Sequence, residues 1–290
     1  MRVSCEDRGG SVWRLRLLSE GEDDATLDTV ALDDLGAILD AADAEDSGCR
    51  VLVLEGEAGR FCVGMSLASV EGEGAGVASE GTDAATGAVT GAVTGAVTGA
   101  VTGAATGVAR YASCVKRLRL GRPAVVAIVD GPALGGGLGL AAAADTVIAT
   151  SRARFGLPET RVGLLPAMVL PLLVERMPAQ KVRRLALGGP ALDAKEAWRL
   201  GLVDCVAEDV AAADKALFAE LRQLLRISPE AAAELRRFSA SSATMALDAA
   251  IDAGATITSR GVADADVRAA IQASLEGEAP AWLERPRRSR

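Results

Sequence analysis

Two glycine-containing segments have the composition expected of loops that bring backbone N–H groups close to a ligand. The first is Gly59–Ser66 and the second is Gly131–Leu140, which contains a glycine triplet beginning at Gly135. Each segment follows a short apolar run that we predict to be a buried strand, and open α/β sheets bind ligands beyond the carboxyl ends of their strands. Glycine lets a backbone approach a ligand without a Cβ atom in the way, and free N–H groups at the start of a helix favour a negative oxygen.

For an acyl thioester, such an oxygen develops when a proton leaves the α-carbon, so two N–H donors would stabilise the enolate. Removing one donor of this kind typically costs about 3 kcal/mol of transition-state stabilisation. Other interpretations of the glycines are weaker. A dinucleotide-binding fingerprint would need a third small residue where Leu140 stands, and a phosphate loop would need Gly-Lys-Ser/Thr. A purely structural tight turn stays open.

Composition excludes several other chemistries. The 290 residues contain no histidine, which removes Ser-His-Asp and Cys-His catalysis. The five cysteines are widely spaced without a Cys-x-x-Cys pair, so we expect no disulfide framework, no metal site and a reducing, cytoplasmic environment. A formal net charge of -8 argues against nucleic-acid binding. We expect neither a signal peptide nor a membrane span, and no cofactor.

The elements that position these segments alternate between strand and helix patterns. Strand character is found in four runs: Val12–Leu17, Arg50–Gly56, Ala124–Val129 and Thr146–Ala149. Helical spacing covers Thr29–Ala42 and nearly all of the chain after Ala179. Alternation of this kind is typical of βαβ units, so we predict an α/β protein with a mostly parallel sheet and a helical C-terminal part.

A low-complexity segment interrupts this pattern. Between Thr86 and Val108, Thr-Gly-Ala-Val repeats every four residues with one lapse. Because a glycine in a helix interior costs roughly 1 kcal/mol relative to alanine, we predict a surface insertion over about residues 71–108 rather than a long helix. It is interpreted either as a tolerated repeat expansion or as a lid or partner-binding loop.

Taken together and in order, the motifs resemble the crotonase (enoyl-CoA hydratase/isomerase) superfamily from about residue 10 to residue 210. The resemblance rests on six segments: Phe61–Met65, Gly131–Gly137, Ala144–Ala149, Ala153–Glu159, Gly163–Pro166 and Ala191–Asp204. It implies a crotonase fold, with repeated ββα units forming a core over residues 1–210. It also implies a helical C-terminal part over residues 211–290 that completes a homotrimer or hexamer.

The resemblance also implies roles for individual residues. The N–H groups of Met65 and Gly136 would form an oxyanion hole, and Glu159 matches one of two catalytic glutamates of the family's hydratases. The other glutamate position is Gly139, which has no side chain. The resemblance implies no metal site. The residues that would line the substrate are Ser66, Gly135, Gly137, Gly139 and Arg161. Arg161 would pair either with a distal carboxylate of the substrate or with a carboxylate of the protein itself.

Within the superfamily, the chain is similar to the dehydratases of polyketide β-branching cassettes. The similarity lies in Phe61–Met65, in Gly136–Gly139 and in Gly163–Leu173, although Ser66 stands where that branch commonly has an aspartate. It implies removal of water from a 3-hydroxy-3-methylglutaryl-type group on an acyl carrier protein, or on CoA. The basic residues Lys116–Arg119 with Arg122 would meet an acidic carrier protein or would form an ordinary solvated helix face.

Four rival functions stay open at this point. Decarboxylation of the glutaconyl-type product, double-bond isomerisation and thioester hydrolysis all use the same oxyanion hole, and a non-catalytic homologue would bind a partner instead. As a base, Glu159 needs a partly apolar pocket, because an exposed glutamate has a pKa of about 4.3. As an alternative, its charge would only stabilise the start of a helix.

Overall fold

The computed structural model describes residues 1–7, 10–19, 25–57, 59–65 and 103–283. Within these ranges the strands are β1 (Arg2–Asp7), β2 (Val12–Leu18), β3 (Val51–Gly56), β4 (Ala124–Val129), β5 (Pro132–Leu134), β6 (Thr146–Thr150), β7 (Arg154–Gly156), β8 (Leu192–Asp193) and β9 (Cys205–Ala207). The helices are α1 (Thr29–Asp43), α2 (Gly103–Leu120), α3 (Gly136–Ala142), α4 (Leu170–Arg176), α5 (Ala179–Ala186), α6 (Ala194–Arg199), α7 (Val210–Leu224), α8 (Pro229–Ser242), α9 (Leu247–Ala263) and α10 (Ala265–Leu275). One 3₁₀ turn covers Glu159–Val162.

The main sheet has six strands in the order β1-β2-β3-β4-β6-β9. Only the β1–β2 pair is antiparallel, and every other neighbouring pair is parallel. All six residues of β4 are buried, as expected for a strand that is covered on both faces. The predicted α/β class with a mostly parallel sheet is therefore confirmed.

Alternate residues of the central strands enter two separate hydrophobic clusters, one on each face of the sheet. Leu52 and Leu54 of β3 join the larger cluster, which includes buried residues of α1, α2 and α3. Val51 and Val53 join the smaller cluster with residues of α7. The Asp28 side chain caps α1 by accepting a hydrogen bond from the Ala31 N–H at 2.7 Å. This bond fixes the start of a helix that packs in the larger cluster.

A second, three-stranded sheet in the order β5-β7-β8 lies beside the first. Its strand β5 leads directly into α3, so this sheet sets the position of the glycine triplet. The sequence patterns did not predict β5, β7 or β8, because strands of two or three residues are too short to show alternation.

The described residues after position 210 are helical as predicted, and just before them β9 forms an edge strand that pairs with β6. Helix α7 packs on the sheet, whereas α9 and α10 have no buried residue. No described helix combines the length and apolar character that crossing a membrane requires. Residues 71–102 of the predicted insertion lie outside the described ranges, and residues 103–108 belong to α2 rather than to a loop.

Candidate active site

The two glycine segments lie side by side beyond the ends of β3 and β4. Cys62 forms a parallel bridge with Ala133. The Cys62 N–H donates to the Pro132 carbonyl oxygen at 3.1 Å, and the Leu134 N–H donates to the Cys62 carbonyl oxygen at 2.9 Å. Because these bonds join main chain to main chain, the relative position of the two segments is fixed by the backbone rather than by side chains.

Glycine is needed where the two backbones come closest. A Cβ atom on Gly131 would lie 1.9 Å from the Gly59 carbonyl oxygen, and one on Gly137 would lie 2.0 Å from the Cys62 carbonyl oxygen. No real Cβ makes contacts this short, so alanine would push the segments apart at either position. Gly137 was predicted to contact substrate. The structure instead places the Cα atom of Gly137 against Cys62, at the contact between the two segments.

The proposed N–H donors are brought near one another by this contact. A Cβ atom on Gly64 would lie 3.4 Å from the Gly136 nitrogen, and Met65 is the next residue after Gly64. The Gly64 carbonyl oxygen accepts from the Leu27 N–H at 2.7 Å, which anchors the first segment to the chain before α1. Among the described residues, neither the Met65 N–H nor the Gly136 N–H donates a hydrogen bond. Both are therefore free to bind a negative oxygen.

Glu159 lies at the same place. A Cβ atom on Gly135, whose φ is +53°, would lie 2.9 Å from Oε1 of Glu159. Oε2 of this carboxylate is buried and has no hydrogen-bond partner among the described residues. Burial raises the pKa of the Glu159 carboxyl above its ordinary value, and a hydrogen bond from its own backbone N–H opposes part of that shift. Glu159 is half-buried, which is the partial loss of solvation that raises the pKa of a glutamate base.

No second carboxylate stands at Gly139; a tyrosine side chain occupies the space beside it. The hydroxyl oxygen of Tyr111, on α2, would lie 2.1 Å from a Cβ atom on Gly139. Tyr111 is fully buried, and its hydroxyl donates to the Gly136 carbonyl oxygen at 2.6 Å. No sequence pattern singles out this residue as part of the site. Its signal was slight: Tyr111 is the single tyrosine of the chain.

Two further predicted substrate contacts, Ser66 and Arg161, do not join this cluster among the described residues. Ser66 lies outside the described residues. Arg161 is on the same 3₁₀ turn as Glu159, and its exposed side chain forms no ion pair with any described carboxylate. The structure therefore brings Gly135, Glu159 and the two hole segments together, and leaves Arg161 at the surface beside them.

The basic residues at the end of α2 are largely neutralised within the chain. Arg117 pairs with Asp40 at 2.8 Å and Arg119 pairs with Glu175 at 2.8 Å. This pairing favours the interpretation as a solvated helix face over that of a docking site for an acidic protein.

The thiol nearest the site is inert. Cys62 is completely buried, and burial raises the pKa of its thiol to about 12. A thiol of such a high pKa stays protonated at neutral pH and is a poor nucleophile. All five cysteines are free.

Comparisons with known proteins agree with this geometry. A family model described as enoyl-CoA hydratase/isomerase matches residues 108–285. The chain is 42% identical to a putative enoyl-CoA hydratase of Thermus thermophilus over 82 residues. This aligned region covers 28% of this chain and 32% of that protein. It is 34% identical over 125 residues to the bacillaene synthase dehydratase PksH of Bacillus subtilis, which covers 43% of this chain and 47% of PksH. The chain thus spans less than half the length of these curated relatives.

A solved structure covers far more of the chain. Pseudomonas aeruginosa AtuE superposes with a TM-score of 0.81 at 30% sequence identity, over 98% of this chain and 100% of that one. The predicted crotonase fold is confirmed.

Proposed function

The chain belongs to the enoyl-CoA hydratase/isomerase family, and from this membership we propose that it removes water from a 3-hydroxyacyl thioester of the 3-hydroxy-3-methylglutaryl type. One observation carries the proposal. Beside two N–H groups that donate no hydrogen bond among the described residues lies the half-buried carboxylate of Glu159, whose Oε2 atom is buried and likewise has no hydrogen-bond partner there. Such a group is poised to exchange a proton with a ligand.

In the proposed reaction, the N–H groups of Met65 and Gly136 donate to the thioester carbonyl oxygen. The Glu159 carboxylate takes a proton from the α-carbon, and the electron pair moves into the carbonyl to give an enolate. The enolate then collapses to a carbon–carbon double bond while the bond from the β-carbon to oxygen breaks. Protonated Glu159 gives its proton to the departing oxygen, so that water leaves and the carboxylate is regenerated.

The environment of Glu159 suits both halves of this cycle. A carboxylate is a stronger base when burial raises its pKa, because the charged form has lost solvation. The same shift keeps the protonated form a weaker acid, but one still acidic enough to protonate an oxygen that is becoming hydroxide. With Gly139 in place of a second acid, a single group would carry the proton both ways.

A carrier protein is proposed as the usual bearer of the acyl group. The motif resemblance to β-branching dehydratases and the similarity to PksH support this assignment. The paired arginines of α2 do not support docking there. Arg161, exposed and without an ion pair among the described residues, is instead proposed to bind a distal carboxylate of the acyl group.

Assembly as a homotrimer or hexamer is also proposed. Helices α9 and α10 have no buried residue, and apolar side chains such as Leu247 and Leu275 are more than three-quarters exposed, at 77% and 78%. Light scattering coupled to size-exclusion chromatography should give three or six times the chain mass. A single chain mass would contradict this proposal without affecting the chemistry.

The test is intact-mass spectrometry of an acyl carrier protein loaded with 3-hydroxy-3-methylglutaryl, with the CoA thioester run in parallel. Three proteins are compared: the wild type, Glu159→Gln, and Glu175→Gln as a control at a surface glutamate. We expect the wild type and Glu175→Gln to remove one water, and Glu159→Gln to leave the mass unchanged. Further loss of carbon dioxide would replace dehydration alone with dehydration and decarboxylation. An unchanged mass with every loaded carrier and with CoA would refute the proposal and favour a non-catalytic binding role.

A further inference from the structure

One face of α2 contacts both segments of the oxyanion hole. A Cβ atom on Gly107 would lie 3.5 Å from the Cε atom of Met65. Tyr111, one helical turn later on the same face, reaches the other segment through its hydroxyl, which donates to the Gly136 carbonyl oxygen at 2.6 Å. The helix therefore spans the two residues whose N–H groups are proposed to bind the thioester oxygen.

The hydroxyl of Tyr111 is held in a closed environment. The ring carbon Cε2 would lie 3.2 Å from a Cβ atom on Gly136, and the hydroxyl would lie 2.1 Å from one on Gly139. Burial, with contributions from Cys62 and Glu159, raises the pKa of Tyr111 well above its ordinary value. The phenol therefore stays protonated across the neutral range, and its proton is committed to the Gly136 carbonyl.

We propose that Tyr111 is a positioning residue for the oxyanion hole, fixing Gly136 through its hydroxyl and filling the space that a side chain at position 139 would need. The role in thioester chemistry rests on the function proposed above. Gly136 is the first residue of α3, and its carbonyl group belongs to the peptide unit that follows the one carrying the Gly136 N–H. The two peptide units meet at the Cα atom of Gly136, so loss of the hydroxyl would let this Cα atom shift and would leave the direction of the Gly136 N–H less well defined.

The spatial half of the proposal is tested by a double-mutant cycle in stability, which requires no substrate. The four proteins are the wild type, Tyr111→Phe, Gly139→Ala and the double variant. In the wild-type background, alanine at 139 meets the hydroxyl and should lower the urea midpoint. In the Tyr111→Phe background the nearest remaining side-chain atoms are Cγ2 of Val169 at 3.0 Å and Cζ of the ring at 3.4 Å, so most of that loss should disappear. Additive effects of the two substitutions would overturn the proposal.

The positioning half is tested by the carbonyl stretch of a butyryl thioester labelled with carbon-13 at the carbonyl, bound to each protein and measured by difference infrared spectroscopy. Hydrogen bonds from the hole lower this frequency. We expect Tyr111→Phe to lose part of the shift and to lower kcat about three- to tenfold with KM unchanged, as for one net hydrogen bond.

A matched control separates positioning from general loss of stability. Cys114 lies on the same helix, is buried, and donates through its thiol to the Leu32 carbonyl oxygen at 3.5 Å, away from the hole. Cys114→Ala should lower stability without changing the carbonyl shift or kcat. If Tyr111→Phe behaves like Cys114→Ala, the tyrosine is merely structural and the proposal is wrong.

The outcomes also distinguish this inference from the proposed function. A wild-type protein that shifts the carbonyl frequency but releases no water would retain the positioning role and refute the dehydration. If no thioester binds at all, the stability cycle still decides whether the hydroxyl fills the space at position 139.

Discussion

The contact between the two hole segments makes a sharp prediction for Gly137→Ala. Gly137 has ordinary helical backbone in α3, so a Cβ atom would not strain its own dihedral angles. The three nearest atoms it would meet all belong to Cys62: the carbonyl oxygen at 2.0 Å, the carbonyl carbon at 2.6 Å and Cβ at 2.8 Å. Carbon atoms in good contact lie about 3.5–4.0 Å apart, so the two segments would have to separate by around 1 Å in total.

The energetic cost follows from which atoms clash. Overpacking typically costs about 1–3 kcal/mol, and the upper end applies because backbone cannot swing aside like the end of a side chain. The bond from the Leu134 N–H to the Cys62 carbonyl would be strained or lost, which adds about 1 kcal/mol. Alanine regains up to about 1 kcal/mol of helix propensity. We therefore expect a net destabilisation of about 3 kcal/mol, together with loss of most thioester turnover because the donors move apart.

Urea unfolding followed by circular dichroism measures this effect, and Gly261→Ala provides the matched control. Gly261 is also helical, in α9, but a Cβ atom there has no neighbour within 4 Å. The control should be stabilised by up to about 1 kcal/mol through helix propensity alone. A Gly137→Ala protein as stable as the wild type would show that the two segments are not in the described contact.

Three further predictions concern charge. Glu159→Gln should raise the urea midpoint at pH 7. The pKa of Glu159 is raised in the folded state, so its ionised form destabilises the fold once the pH has risen through that value. The gain should vanish below the ordinary pKa of about 4.3, where Glu159 is protonated in both the folded and the unfolded state. For the same reason, kcat should fall as pH drops through a pKa above about 4.3, measured as a pH–rate profile; a profile flat from pH 4 to pH 8 would exclude Glu159 as the base. Arg236→Met should lower the free energy of unfolding by about 3–5 kcal/mol in the same assay. The reason is that buried Arg236 pairs with Asp145 at 2.8 Å and donates to carbonyl oxygens at the end of α2. As a control, Arg260→Met removes an exposed ion pair and should change stability by less than about 1 kcal/mol.

Much of the fold could be predicted because its long elements carry strong patterns. The runs at Val51 and Ala124 are apolar over most or all of their length, and each is a central strand of the sheet with buried residues on both faces. The helix over Thr29–Ala42 was expected one residue short of its end at Asp43. Strand β9 was not predicted, because three residues within a helical region show no period.

The site divides along similar lines. The glycine segments could be found from the sequence, because glycine types and their order reflect where backbones must approach closely. Their contact at Cys62 and Gly137 could not, since it depends on tertiary distances. Tyr111 was missed for the same reason: it is 25 residues before Gly136 in sequence, and only the packing of α2 brings its hydroxyl to that carbonyl.

The most direct test of the central claim, that Glu159 exchanges a proton with the α-carbon of a thioester held by two N–H groups, is deuterium uptake from D₂O into a butyryl thioester. Butyryl has no 3-hydroxyl to expel, so uptake isolates the proton transfer from elimination. Deuterium on exchangeable amide groups is first removed by back-exchange in H₂O. Mass spectrometry should then show one deuterium in the acyl group with wild type and none with Glu159→Gln. The account is contradicted if wild type incorporates no deuterium, or if Glu159→Gln incorporates it as fast as wild type.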